Sequence, residues 1–244
     1  MTVHTVIFDA GLTLLTIAPS WWEVFVRGCE RTGIRVPDLD GDVSKVSHLF
    51  GEHDEQWRTR GHPSPHIGDD AAERAFWRGL YARFLQALEV EGDHEHATAA
   101  IFDAFREPGV FVPFPEVDAV LDDLTRRGLR TAIVSNWGPW LREVLSHADM
   151  LHRFETVVVS GEEGIEKPDP AIFQRALHRL DLDPSPQVAY VGDDLRADVE
   201  GSAAAGLLPV LVDRGGRHPD HSGHRVTDLR ELAHVLSLPR AIDG

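Results

Sequence analysis

Apolar positions along this chain follow two different rhythms, and the change between them divides it. From Phe111 onward, short apolar runs alternate with segments whose apolar residues recur every three or four positions. Val117, Val120, Leu121 and Leu124 predict a helix over 115–127, closed by Gly128. The runs at 129–134, 156–159, 188–191 and 209–212 predict strands, and the spacing between and after them predicts helices over 139–148, 170–180, 197–205 and 227–238. These strands are apolar throughout, the pattern of strands covered on both faces. Strands of this kind separated by helices predict an α/β fold, a doubly wound parallel sheet. The run at 5–8, Thr5-Val6-Ile7-Phe8, supplies one more central strand.

Residues 17–107 carry no strand pattern. Ser20-Trp21-Trp22-Glu23 fits a capping box, opening a helix that runs toward Gly33. Ala75, Phe76, Leu80, Tyr81 and Phe84 mark one side of a second helix over 71–88, and 97–105 reads as a third. Residues 51–70, rich in Gly, Pro, His and Asp, are expected to form a mobile loop. The expected organisation is therefore a core built from 1–16 and 108–244, interrupted by a helical domain at 17–107.

Composition narrows the function classes. With 244 residues, 42% hydrophobic and 26% charged, the chain has the make-up of an ordinary globular protein. Its formal net charge of −16 disfavours nucleic acid and anionic membranes as partners. No apolar run approaches the ~20 residues needed to span a bilayer. Cys29 is the single cysteine, so no intrachain disulfide is possible. The expectation is a soluble, cytoplasmic protein acting on a small molecule, with nothing that reports its oligomeric state. The 14 histidines fall largely in loops without zinc-ligand spacing. Lysine occurs only at 45 and 167, so one inside a local pattern carries information.

Two apolar runs stop at acids, Asp9 after Phe8 and Asp193 after Gly192. Open parallel sheets bind ligands at the carboxyl ends of their strands. Two carboxylates there suit a divalent cation and chemistry on an anion, which an acidic protein could not otherwise hold. In chain order the candidates are Asp9 with Thr13, Ser135-Asn136 closing the run at 129–134, Lys167 in Glu166-Lys167-Pro168, and Asp193-Asp194 with Asp198.

This order resembles the haloacid dehalogenase superfamily, from Phe8 through Asp198 and on along the helix to Gly206. The resemblance implies a Rossmann-like core with a helical cap inserted after the first strand. It implies Asp9 as a nucleophile that takes a phosphoryl group, and Mg²⁺ held by Asp9, the Gly11 carbonyl and Asp193, with Asp194 and Asp198 behind them. It further implies Lys167 stabilising transferred charge, and Thr13, Ser135 and Asn136 on the phosphoryl oxygens. The activity implied is Mg²⁺-dependent hydrolysis of small phosphate monoesters through an aspartyl-phosphate. One position departs from the pattern: family phosphatases usually carry a second aspartate two residues after the nucleophile, where this chain has Gly11. That leaves three readings open. The first is a phosphatase that is slow, biased to good leaving groups, or borrows an acid from the cap or the substrate. The second is a 2-haloacid dehalogenase, although those normally carry Tyr at the place of Gly11 and Gly at that of Trp137. The third is a catalytically weak or non-catalytic relative.

Overall fold

The computed structural model describes residues 2–37, 39, 43–62 and 64–238. The chain forms two compact units, Met1–Thr16 with Val112–Gly244, and Ile17–Phe111. β1 (Thr5–Phe8) and β2 (Leu15–Ile17) lead into the second unit, whose helices are α1 (Trp21–Glu30), α2 (Ser44–Thr59), α3 (Asp70–Ala87) and α4 (His94–Phe105). β3 (Phe111–Pro113), paired with β2, returns the chain to the first unit. There follow α5 (Val117–Arg126), β4 (Arg130–Ser135), α6 (Leu141–His147), β5 (Thr156–Val159), α7 (Ser160–Glu163), α8 (Pro170–Leu180) and β6 (Val188–Gly192). A π-helical stretch, Leu195–Glu200, runs into α9 (Gly201–Ala204), and β7 (Leu208–Val212), β8 (His224–Val226) and α10 (Leu232–Val235) complete the unit.

Six strands make one parallel sheet in the order β5-β4-β1-β6-β7-β8. The chain moves outward from β1 through β4 to β5, then crosses back to lay β6 on the other flank of β1. The strand order thus reverses beside β1, and the crevice at such a reversal is where ligands sit in open α/β sheets. Side chains alternate across the sheet. Ile7, Val134 and Tyr190 pack with Phe173 and Leu177 of α8, while Phe8, Ile133 and Val191 pack with Val120 and Leu121 of α5. Both faces are covered, which accounts for the uninterrupted apolar runs.

In the second unit, Ser20 caps α1 by accepting from the Glu23 amide, and its hydroxyl donates to the Glu23 carboxylate. Trp21, Phe25, Tyr81, Phe84 and Phe105 form its aromatic core, with ring centroids 5.4–6.5 Å apart among their contacting pairs. The loop expected over 51–70 is overturned in its first half, because α2 runs through to Thr59. Val46, Leu49 and His53 bury one face of that helix, and an Asp54–Arg58 ion pair at 3.0 Å braces it one turn apart. Its Gly, His and acidic residues lie mostly on the exposed side, so composition there reports solvent rather than a loop. Residue 63 lies outside the described residues.

The helix expected over 227–238 is also shorter. Asp228 caps a 3₁₀ turn, Leu229–Glu231, ahead of the four-residue α10, and β8 precedes both. Among the described residues no helix is long and apolar enough to cross a membrane.

Candidate active site

Every candidate drawn from the sequence except Asp194 is brought to one end of the sheet around Asp9 or into the turn that follows it. β1 ends at Phe8, and the Asp9 amide donates to Val191 O at 2.9 Å, tying the acid to the neighbouring strand β6. Ser135, the last residue of β4, donates from Oγ to Asp9 Oδ1 at 2.9 Å. Lys167 Nζ donates to the same Oδ1 at 2.6 Å, to Asp198 Oδ1 at 2.6 Å and to Tyr190 Oη at 2.9 Å. Lysine, tyrosine and Asp198 are all buried. No described residue donates to Asp9 Oδ2, so the two oxygens of this carboxylate are inequivalent.

Asn136 lies beside this group but spends its side chain elsewhere. Its Nδ2 donates to Lys167 O at 3.0 Å, and its Oδ1 accepts from Lys167 N at 2.8 Å. Both ends of the amide therefore hold the lysine main chain. Thr13 is buried, and its hydroxyl has no hydrogen-bond partner among the described residues. Its carbonyl accepts from Arg214 Nη2 at 2.9 Å, and Arg214 in turn stacks on Phe114 and pairs with Glu116 at 2.6 Å. The turn that follows Asp9 is thus pinned from β7's exit loop.

Asp193 follows directly on β6. At Gly192 a Cβ would fall 2.3 Å from Asp198 Oδ2, so only glycine lets the Asp198 carboxylate lie against the strand end. Asp198 Oδ2 also accepts from the Asp194 amide at 2.9 Å. Asp194 itself is exposed, and its carboxylate caps the following helical stretch through the Arg196 and Ala197 amides. That is a structural role.

One carboxylate oxygen each from Asp9, Asp193 and Asp198 lies within 4.8 Å of the others. Three acids this close repel one another. Burial, then the charges of Asp9 and Asp198, push the Asp193 carboxyl up to about 7. Burial also raises Asp198, against the opposing pull of Lys167. Burial disfavours the Lys167 ammonium, but the charges of Asp198 and Asp9 outweigh it and hold the group above the ordinary lysine range. No described side chain donates to Asp193, whereas Asp198 is engaged by Lys167, Tyr190 and Asp194. Asp9 and Asp193 are therefore the two acids with unspent oxygens. The Gly11 carbonyl takes no backbone hydrogen bond among the described residues. This all-oxygen, anionic donor set fits a hard divalent cation.

Gly11 is overlaid by an aromatic ring: a Cβ there would approach Trp137 Cζ3 to 3.1 Å. The space that a side chain at 11 would enter is thus shared with the indole.

Tyr190 and Arg214 were not singled out from the sequence. Tyr190 left a signal there, a phenol in the middle of a wholly apolar strand, where the hydroxyl needs a partner.

Comparison with known proteins matches the family described as haloacid dehalogenase-like hydrolase over residues 3–206. A phosphoserine phosphatase from Thermus thermophilus is 40% identical over 165 residues, covering 65% of this chain and 66% of that protein, just under two thirds of its length. Solved structures match nearly end to end, two among them as follows. The magnesium-bound putative hydrolase YfnB from Bacillus subtilis has a TM-score of 0.73 at 17% identity, covering 98% of this chain and all of the other. L-2-haloacid dehalogenase from Xanthobacter autotrophicus has a TM-score of 0.69 at 19% identity, covering 97% and 99%. At these identities the two structures establish the shared fold.

Proposed function

The chain belongs to the haloacid dehalogenase-like hydrolase family, and on that premise we propose that it hydrolyses small phosphate monoesters through a phosphorylated Asp9, with Mg²⁺ as cofactor. The observation that carries this reading is the asymmetry of Asp9. Oδ1 is fixed by Lys167 Nζ at 2.6 Å and Ser135 Oγ at 2.9 Å, while Oδ2 is left without a donor. Oδ2 is then the attacking atom. It forms a bond to phosphorus as the ester oxygen leaves, and water later displaces phosphate from the carboxylate.

Lys167 offsets charge on Asp9 and on the phosphoryl oxygens as it shifts during transfer, from a site already stripped of water. Ser135 orients the nucleophile, and Asn136 holds the Lys167 backbone in register. Asp9, Asp193 and the Gly11 carbonyl would hold Mg²⁺, which when bound screens the repulsion between the carboxylate and the anionic substrate. Asp198 fixes the far side of the lysine. In this reading the inserted unit is the cap and sets substrate choice. The phosphatase name of the 40%-identical relative supports the same activity.

The test is phosphate release from p-nitrophenyl phosphate with MgCl₂ or with EDTA, beside halide release from 2-chloropropionate. Metal-dependent phosphate release, lost in Asp9→Asn, is expected. Halide release without phosphate release would move the chemistry to dehalogenation, and full phosphatase activity in Asp9→Asn would refute the nucleophile.

A further inference from the structure

We propose that Tyr190 is a positioning residue for the reaction, aiming the Lys167 ammonium by taking its third hydrogen. This rests on the reading of Asp9 and Lys167 as the reacting pair. An ammonium has three N–H donors and no acceptor. All three are accounted for, to Asp9 Oδ1, Asp198 Oδ1 and Tyr190 Oη, at 2.6, 2.6 and 2.9 Å. The phenol is in turn anchored, donating to Val134 O at 2.8 Å, with Asp198 Oδ1 a second acceptor at 3.1 Å. Val134 precedes Ser135, so one hydroxyl links the lysine to the strand that carries the other donor on Asp9.

The two carboxylates alone define only two directions of the ammonium, and both attract it. A head group drawn between two acids can swing toward either. The neutral phenol takes the remaining N–H and, being anchored on Val134 O, holds the head group against being drawn toward either acid. The Tyr190 ring is fully buried and lies edge-on to Phe173 with centroids 5.0 Å apart, but it is the bond to Val134 O, not that packing, that places its hydroxyl. Removing the hydroxyl leaves an N–H and the Val134 carbonyl to find new partners in a dry site, and the lysine turns to do so.

The chain is suited to a direct test, because Lys45 and Lys167 are its only lysines and Lys45 is exposed. In protein labelled with ¹⁵N at lysine Nζ, the buried, hydrogen-bonded Lys167 ammonium should give one slowly exchanging signal, while Lys45 protons exchange with water. Tyr190→Phe should move or broaden that signal and lower kcat on p-nitrophenyl phosphate about tenfold, with KM changed less than threefold. Phe173→Leu, which disturbs packing of the same ring without touching the hydroxyl, should leave both the signal and kcat near wild type.

An unchanged Lys167 signal in Tyr190→Phe overturns the proposal, as does the lack of any protected ammonium signal in the wild type. Equal kcat losses in both variants assign the effect to packing and overturn it too. If the wild type releases no phosphate, the phosphatase reading fails by itself, and the ammonium spectra still decide whether Tyr190 holds Lys167.

Discussion

Withdrawing divalent cations should make folding stability fall as pH rises through neutrality, an effect that can be read without any substrate. Asp193 has an ordinary value of 3.8, and burial together with the charges of Asp9 and Asp198 moves it to about 7 in the fold. Between these values the folded chain holds a proton that the unfolded chain has lost. Stability contributed by this group is full below about pH 4 and is lost as pH rises to about 7. Three pH units correspond to about 4 kcal/mol, which water at the partly open carboxylate reduces to about 2 kcal/mol. In a chain of this length about 2 kcal/mol moves Tm by roughly 4–8 °C. Thermal melts in EDTA should therefore decline from pH 4.5 to 7.5, and MgCl₂ should restore the loss at pH 7.5 because the cation supplies the missing counter-charge. Asp193→Asn has no proton to lose. It should melt above the wild type at pH 8 in EDTA and no longer respond to MgCl₂. Carboxylates held low, such as Asp228, which the Arg230 guanidinium keeps at about 2, lose their contribution only in more acid solution. Buried His53, held below its ordinary 6.5, works in the opposite sense inside this window, so the decline is read as the difference between the wild type and Asp193→Asn. A wild-type Tm in EDTA that declines no more than that of Asp193→Asn from pH 4.5 to 7.5, or Asp193→Asn melting below the wild type at pH 8, refutes the reasoning.

Lys167→Met strands Asp9 and Asp198 in a buried site, so urea unfolding should show a loss of about 3–5 kcal/mol and phosphatase assays no measurable turnover. Asn136→Ala removes both bonds to the Lys167 main chain, at 3.0 and 2.8 Å. It should cut kcat by roughly 10–100-fold while Tm falls only a few degrees. With Gly11 offering no acid, aryl phosphates, whose leaving oxygen departs as a stable anion, should turn over roughly 10²-fold or more faster than sugar phosphates. Equal rates in parallel phosphate-release assays would reveal another proton donor. Gly11→Asp alone should not rescue sugar phosphates, because its Cβ meets Trp137 at 3.1 Å. Gly11→Asp with Trp137→Gly clears the space and should raise that rate.

The core was legible from sequence because its strands are covered on both faces, which leaves continuous apolar runs that few other arrangements produce. Each acid that interrupted such a run is brought to one end of the sheet, since a carboxylate at a strand's carboxyl end has a chemical reason rather than a packing one. Legibility failed where a residue's partners are distant in sequence. Asn136 carries the amide of a plausible anion ligand, but its bonds go to a main chain 31 residues on, and no local pattern announces that. Asp194 and Asp198 lie only four residues apart in the sequence, yet one caps a helix in solvent and the other meets a buried ammonium. The glycine at 192 leaves the room in which the Asp198 carboxylate lies against the strand end, while Asp194 turns to the helix amides. α2 escaped notice for a different reason. Its buried face is three residues wide, and the rest of the helix is written in the Gly, His and acidic residues of a surface. Periodicity thus reports how much of an element is buried, and the site's chemistry reports which strand ends meet. Neither reports a single side chain such as Tyr190, whose role exists only once β6 lies beside β1 and the lysine has arrived from the loop ahead of α8.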